Sequence, residues 1–405
     1  MAASGHAPAP PLAYIDALRG VAVTMVIASH AFPMVHDLPW AVKRFTNLGF
    51  FGVQLFFVLS AFTLARSWRR RAGYARPGLR DFALRRVFRI APPYFLAALV
   101  YCWWLPAAPV TPGRLATFLT FTNGWSPAQM PTVADAWVGV PGGWSIEAEF
   151  AFYACFPLII TWLRGPAACL AACLASLPLA WLANQAACGL YTPIYGHMAT
   201  DQFLYYWLPN QLPAFLCGVL LHEAGDALQP GGIWHAAGGV LARRPLLLLG
   251  AGALGFACLA IIPVPRVPQP GWAFLSAPFL AASAFAAISL SLAIRPMKLP
   301  MTLIVNPVTI RLGQASFSAY LIHFAVLSAI AAMLPAWLLA LPGMRAIAAA
   351  CLLFVGGLGV TFVLAQITYR MVEKPAIALG THIIRSCLPA PPPKQPSLAQ
   401  GPFTT

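Results

Sequence analysis

Ile15-Asp-Ala-Leu-Arg19-Gly-Val-Ala-Val-Thr-Met-Val-Ile-Ala-Ser-His30 is apolar enough to enter a bilayer, yet it carries a guanidinium and an imidazole. An ionisable side chain inside a membrane helix is costly, so it faces the protein interior, finds a partner and marks a functional path. Eleven residues at about 100° each return to within roughly 20° of the starting direction while climbing about 16 Å. Arg19 and His30 are therefore expected on one helix face, the first near a membrane surface and the second well inside.

The remainder of the chain fits the same setting. Of 405 residues, 60% are hydrophobic and 9% charged, with a mean hydropathy of +0.74; an ordinary soluble domain carries about 25% charged residues. Apolar windows recur near 15–36, 48–65, 90–108, 145–163, 166–186, 203–222, 245–262, 272–294, 313–333 and 346–368. Each approaches the roughly 20 residues needed to cross the hydrocarbon core. The expected fold class is all-α, a polytopic integral membrane protein of about ten transmembrane helices.

The net charge of +15 follows topology rather than a nucleic-acid-binding face. With the N-terminus in the cytoplasm, every Lys and Arg except Lys43, Arg44, Arg114, Arg266 and Arg345 falls inside, so the positive-inside rule places both termini there. The bilayer is an expected partner and nucleic acid is not. Residues 1–13 lack a basic n-region, which argues against a cleavable signal peptide, and read as disordered. Residues 14–376 read as the transmembrane domain and 377–405 as a cytoplasmic tail, Pro-rich at Pro389, Pro391, Pro392 and Pro393. The nine Cys read as small apolar fillers. Neither they nor the eight His show metal-ligand spacing, so no metal site is expected.

Chemistry-bearing residues gather in a few segments. Asp16-Ala-Leu-Arg19-Gly20 is followed by His30. Gly52-Val-Gln-Leu-Phe-Phe-Val-Leu-Ser60-Ala61-Phe62 comes next, then Arg85-Arg86-Val-Phe-Arg89-Ile-Ala-Pro92-Pro93-Tyr94. Gly143-Trp144-Ser145-Ile-Glu147-Ala-Glu149-Phe-Ala-Phe152-Tyr153 lies mid-chain. Ser316-Phe-Ser-Ala-Tyr320-Leu-Ile-His323 and Tyr369-Arg-Met-Val-Glu373-Lys-Pro375 close the set. In order and spacing these segments resemble the acyltransferase-three family of membrane proteins, which includes surface-polysaccharide O-acetylases. The resemblance runs from about residue 12 to 376, with Ala61 standing where the family usually has Gly.

The resemblance implies transfer of an acyl group, usually acetyl, from a cytoplasmic coenzyme A thioester to a hydroxyl of an envelope or surface glycan. Acetyl-coenzyme A would be the donor substrate, with no permanently bound cofactor and a bacterial cytoplasmic (inner) membrane as the location. Arg86 and Arg89, spaced i,i+3 on one helix face, offer planar forks suited to the donor's phosphates, and Arg19 is expected to bind the same head group or line its path. His30, with an ordinary pKa of about 6.5, is the candidate base for the acceptor hydroxyl. Glu149, the carboxylate the motif register selects, is expected to orient that imidazole.

Plainer readings stand beside these. The Arg-rich stretch 66–89 serves topology and lipid headgroups apart from Arg86 and Arg89, Ser60 reads as a helix-packing residue, and Glu373 with Lys374 reads as a structural pair or cap. Trp144, Ser145, Glu147 and His323 are substrate or structural candidates; Glu147 suits the positive end of its helix dipole. Two other functions share these residues, a transporter or flippase of a glycan or small envelope molecule and an acylase with a cytoplasmic acceptor.

Overall fold

A computed structural model describes residues 13–72, 78–104, 109–133, 137–229, 231–261, 272–294 and 301–387. The segments 1–12 and 388–405 lie outside the described residues, as do Arg76, Arg266, Arg295, Lys298 and Lys394 of the charge pattern.

Among the described residues helices predominate and no strand occurs. The chain opens with α1 (Ala13–Ala31), α2 (Trp40–Asn47), α3 (Gly52–Ala72), α4 (Leu79–Trp104) and α5 (Pro112–Leu119). The middle comprises α6 (Trp144–Trp162), α7 (Pro166–Tyr206), α8 (Leu208–Leu228), α9 (His235–Arg243), α10 (Pro245–Cys258) and α11 (Trp272–Ile294). Short α12 (Met301–Ile304) and α13 (Pro307–Gln314) lead to α14 (Ser316–Met333), α15 (Ala336–Leu339) and α16 (Gly343–Thr368). A π-helical turn, Tyr369–Glu373, joins α16 to α17 (Lys374–Cys387). The first part of the segment read as a tail is thus helical.

The described parts of the ten apolar windows fall mainly on helices; residues 105–108 and 262 lie outside the described residues. Among the described residues, however, seven stretches are long and apolar enough to cross a membrane, or eight if the pair α9–α10, bent by 82°, counts as one span. The 63-residue stretch Pro166–Leu228 takes in two of the windows, well beyond what one crossing needs, and is broken at Gly196, where φ of 77° departs from the helix. In α6, Glu147 and Glu149 interrupt the apolar run. Large apolar side chains exposed along α4, α6 and α16, among them Leu99, Leu158, Leu352 and Val355, form the kind of surface that water does not tolerate in quantity and lipid does.

Helix α1 is the hub, packed against α3, α13, α14 and α16. Two glycines set its spacing from α13. A Cβ on Gly313 would sit 1.6 Å from the Asp16 carbonyl oxygen, and one on Gly20 would sit 2.2 Å from the Thr309 carbonyl oxygen. Small residues let membrane helices approach this closely. Buried amides add polar ties between helices: Gln54 Nε2 donates to Gln211 Oε1 at 3.0 Å, and Asn184 and Asn210 exchange hydrogen bonds of 3.1 and 3.0 Å.

Candidate active site

Two cavities open among α1, α3, α4, α6 and α14. The first, of about 80 Å³, is lined by Arg19, Ser60, Arg86, Arg89, Glu149 and Tyr153, among others. Arg86 and Arg89 lie inside α4 rather than at its start, because the helix begins at Leu79. That places Arg86 about 10 Å along the axis from the helix start at 1.5 Å per residue. Arg19 Nη2 donates to Thr63 Oγ1 at 3.3 Å, and its Nη1 lies 3.6 Å from Asp16 Oδ1. The Arg86 guanidinium stands 5.8 Å over the Tyr153 ring, and its buried Nε has no hydrogen-bond partner.

Glu149 belongs to this arginine chamber. Its Oε1 accepts hydrogen bonds from Ser60 Oγ and Tyr153 Oη, and it lies within electrostatic reach of Arg19 and Arg86. The expected pairing of Glu149 with His30 is therefore not formed. Ser60, read as packing alone, holds the carboxylate. Glu373 also turns inward instead of pairing with Lys374: it is 2% exposed, accepts from Ser318 Oγ at 3.0 Å, and is within electrostatic reach of Arg89. The π-helical turn ending at Glu373 shifts the facing of that residue relative to a regular helix.

The second cavity, of about 560 Å³, holds His30, Asn123, Trp137, Trp144, Glu147 and Tyr206 in its lining. Trp144 stacks on Tyr206 with ring centroids 4.5 Å apart and planes at 12°. Glu147 and Glu149 are two positions apart on α6, so they point about 200° from one another, and Glu147 is the carboxylate that shares a cavity with His30. It is buried against Asn123 and Gly124, where a Cβ on Gly124 would come within 2.9 Å of Glu147 Oε2. The loop reaches that position through Phe121, whose φ of 58° is the one non-glycine value in the left-handed region among the described residues, and whose ring stacks on Phe150 at 3.8 Å. Asn123 Oδ1 and Trp137 Nε1 are buried without hydrogen-bond partners. Both are polar groups that sequence reading missed, since a single Asn or Trp in a loop carries no spacing signal.

His30 sits among rings: Phe324 at 4.3 Å, Phe50 at 5.3 Å and His323 at 5.4 Å between centroids. Arg19 and His30, expected on one face along a common path, both lie on α1 but open into different cavities. Tyr320 and Val53 line both spaces. The Tyr320 hydroxyl donates to the Gly142 carbonyl at 2.9 Å and accepts from Ser145 Oγ at 2.9 Å, so Ser145 fixes the shared wall while Trp144 faces the larger cavity. Among the described residues no group of three or more His, Cys, Asp or Glu is placed to hold a metal ion.

Chemically, the arrangement offers a cationic chamber suited to an anion, separated by one tyrosine from an aromatic cavity bearing an imidazole. Comparison with known proteins gives the same direction. A family profile described as an acyltransferase domain (acyltransferase-three) matches residues 12–370. The chain is 28% identical over 329 residues to the acyltransferase MdmB of Streptomyces mycarofaciens, covering 77% of this chain and 78% of that protein. It is 27% identical over 170 residues to the peptidoglycan O-acetyltransferase OatA of Listeria monocytogenes, covering 38% of this chain and 25% of that protein. No solved structure matches the chain.

Proposed function

The chain belongs to the acyltransferase-three family of acyltransferase domains, and on that premise we propose that it is a membrane-bound O-acyltransferase moving an acyl group, acetyl in the simplest case, from cytoplasmic acyl-coenzyme A to a hydroxyl of an envelope or surface glycan. The observation that carries this reading is the pair of cavities meeting at Tyr320 and Val53, one lined by arginines and one by aromatic rings with a histidine. Similarity to a peptidoglycan O-acetyltransferase supports both the acetyl group and the glycan acceptor.

In this reading Arg19, Arg86 and Arg89 hold the donor's phosphates through charge-assisted hydrogen bonds. The pantetheine arm extends past Tyr320 and presents the thioester to His30. His30 takes the proton of the acceptor hydroxyl as its oxygen attacks the thioester carbonyl. The C–O ester bond forms, the C–S bond breaks, and the imidazolium returns its proton to the departing thiolate. The stacked Trp144 and Tyr206 offer a flat apolar face to the sugar ring. Glu149 balances charge among the arginines. The bias of Lys and Arg along the chain supports an arginine chamber that opens to the cytoplasm of an inner membrane.

The test is the mass of surface glycans from cells carrying the wild type, His30→Ala or no protein. An acetyl increment present with the wild type and absent in the other two is the expected result, with both proteins at equal membrane abundance. Wild-type glycan acetylation in His30→Ala removes His30 from the mechanism, and a glycan that changes compartment without changing mass replaces the acyltransferase reading by a transporter.

A further inference from the structure

The buried ring of His323 has one nitrogen accounted for and one left over. His323 is 0% exposed, and its Nδ1 lies 2.6 Å from the Tyr320 carbonyl oxygen. A carbonyl oxygen only accepts, so Nδ1 carries the proton, and in a neutral imidazole the lone pair then falls on Nε2. That Nε2 is buried with no hydrogen-bond partner. A buried acceptor left unpaired is uncommon and calls for an explanation.

The donor at hand is the ring of His30. Its centroid is 5.4 Å from that of His323 with the planes at 37°, and both rings pack against Phe324, at 4.3 and 4.2 Å. Hydrocarbon thus flanks the pair, and the other ring beside His323, that of Tyr320 at 5.6 Å, has its hydroxyl committed to the Gly142 carbonyl. The neutral His30 imidazole has a single N–H, and rotation of its ring toward His323 would set that N–H against the waiting lone pair.

We propose that His323 is the positioning residue for His30, a neutral hydrogen-bond acceptor that holds one His30 N–H and so turns the other His30 nitrogen, with its lone pair, toward the acceptor hydroxyl. The inference rests on the acyltransfer reading above. It assigns to an imidazole the orienting task that a carboxylate performs in a triad, and it does so without a second buried charge. When His30 takes the hydroxyl proton, the proton stays on His30. The N–H···N bond to His323 becomes charge-assisted and strengthens at that moment.

The experiment measures transfer from acetyl-coenzyme A to isolated envelope glycan by purified wild type, His323→Leu and His323→Gln. Leu keeps volume and removes the acceptor, whereas Gln returns an amide oxygen near the Nε2 position. His323→Leu should lower kcat by about 10- to 150-fold, the rate equivalent of one hydrogen bond to a charged group, with KM for the donor unchanged. His323→Gln should recover a substantial part of that loss. Wild-type kcat in His323→Leu, or a His323→Gln as slow as His323→Leu, overturns the proposal. A wild type that binds the donor but acylates nothing overturns the acyltransfer reading itself, and the proposal with it. If His323→Leu does not fold, ring ¹⁵N shifts of histidine-labelled wild type, assigned by difference from His30→Ala, decide: an Nε2 of His323 that accepts a hydrogen bond supports the pairing, and one that stays unbonded at neutral and mildly acidic pH refutes it.

Discussion

Replacing Arg86 by Ala separates a donor-binding arginine from one that merely obeys topology, with Arg69→Ala as its counterpart. Arg86 has a buried Nε with no partner and a guanidinium placed over the Tyr153 ring, with which it also interacts by hydrogen bonding, so at least one of its donors is unspent. Arg69 is committed: its Nε donates to Glu223 Oε1 at 3.0 Å and its Nη2 to the Leu163 carbonyl at 2.7 Å. A hydrogen bond to a charged group contributes about 1.5–3 kcal/mol, which corresponds to roughly 10- to 150-fold in Kd for coenzyme A. Arg86→Ala should lose that amount and flatten the salt dependence of binding, whereas Arg69→Ala should bind coenzyme A within about twofold of wild type and melt at a lower temperature, because Glu223 loses its partner. Titration calorimetry on detergent-purified protein reads both. Pantetheine, which lacks the phosphates, should bind wild type and Arg86→Ala alike. Equal losses of coenzyme A affinity in the two variants, or an equal loss for pantetheine, refute the assignment of Arg86 to phosphate.

Two further outcomes follow from contacts already described. Glu149→Gln removes a negative charge from beside Arg19 and Arg86, so coenzyme A should bind more tightly by roughly 1 kcal/mol or less; weaker binding in the same calorimetric titration means that the carboxylate anchors the arginines. Gly313→Ala sets a methyl against the Asp16 backbone oxygen, an obstacle with no rotamer to move away, and should cost near the top of the roughly 1–3 kcal/mol range for overpacking. Gly359→Ala, in the interior of α16 with no atom within 4 Å of the new Cβ, should hold or slightly raise the melting temperature.

Helix positions were legible because long apolar runs report burial in protein or lipid, and the described parts of the ten windows lie mainly on helices. Capacity to span is a finer property: the two carboxylates in α6 and the 14-residue length of α10 lower it within single windows, whereas the breaks at Gly196 and at the α9–α10 bend fall outside them. Convergence of Arg19, Arg86 and Arg89 was legible from charge placed where lipid forbids it unpaired. The partner of His30 was not. A motif register chooses between Glu147 and Glu149 by resemblance, but an angle of about 200° between them sends the two carboxylates to opposite sides of α6, and only the surrounding helices tell which side holds the histidine. His323 lies 293 positions further along the chain, and ring contact over such a separation leaves no trace in spacing. Glu373 was misread for a related reason: Lys374 is its neighbour in sequence, whereas a π-helical turn aims it at Ser318.

The single tyrosine shared by the two cavities has an electrical consequence. Where aqueous vestibules indent a bilayer from both faces, the transmembrane voltage no longer drops evenly over about 30 Å of hydrocarbon but concentrates across whatever remains between them; if the two cavities open to opposite faces, as the proposed function requires, the remainder is the layer of Tyr320 and Val53. An elementary charge carried through that layer experiences nearly the full potential, about 2.3 kcal/mol per 100 mV, while a neutral acyl group experiences none. Turnover that ignores membrane voltage therefore identifies a cycle in which only the acyl group passes Tyr320, and turnover that tracks voltage identifies one in which a proton passes with it.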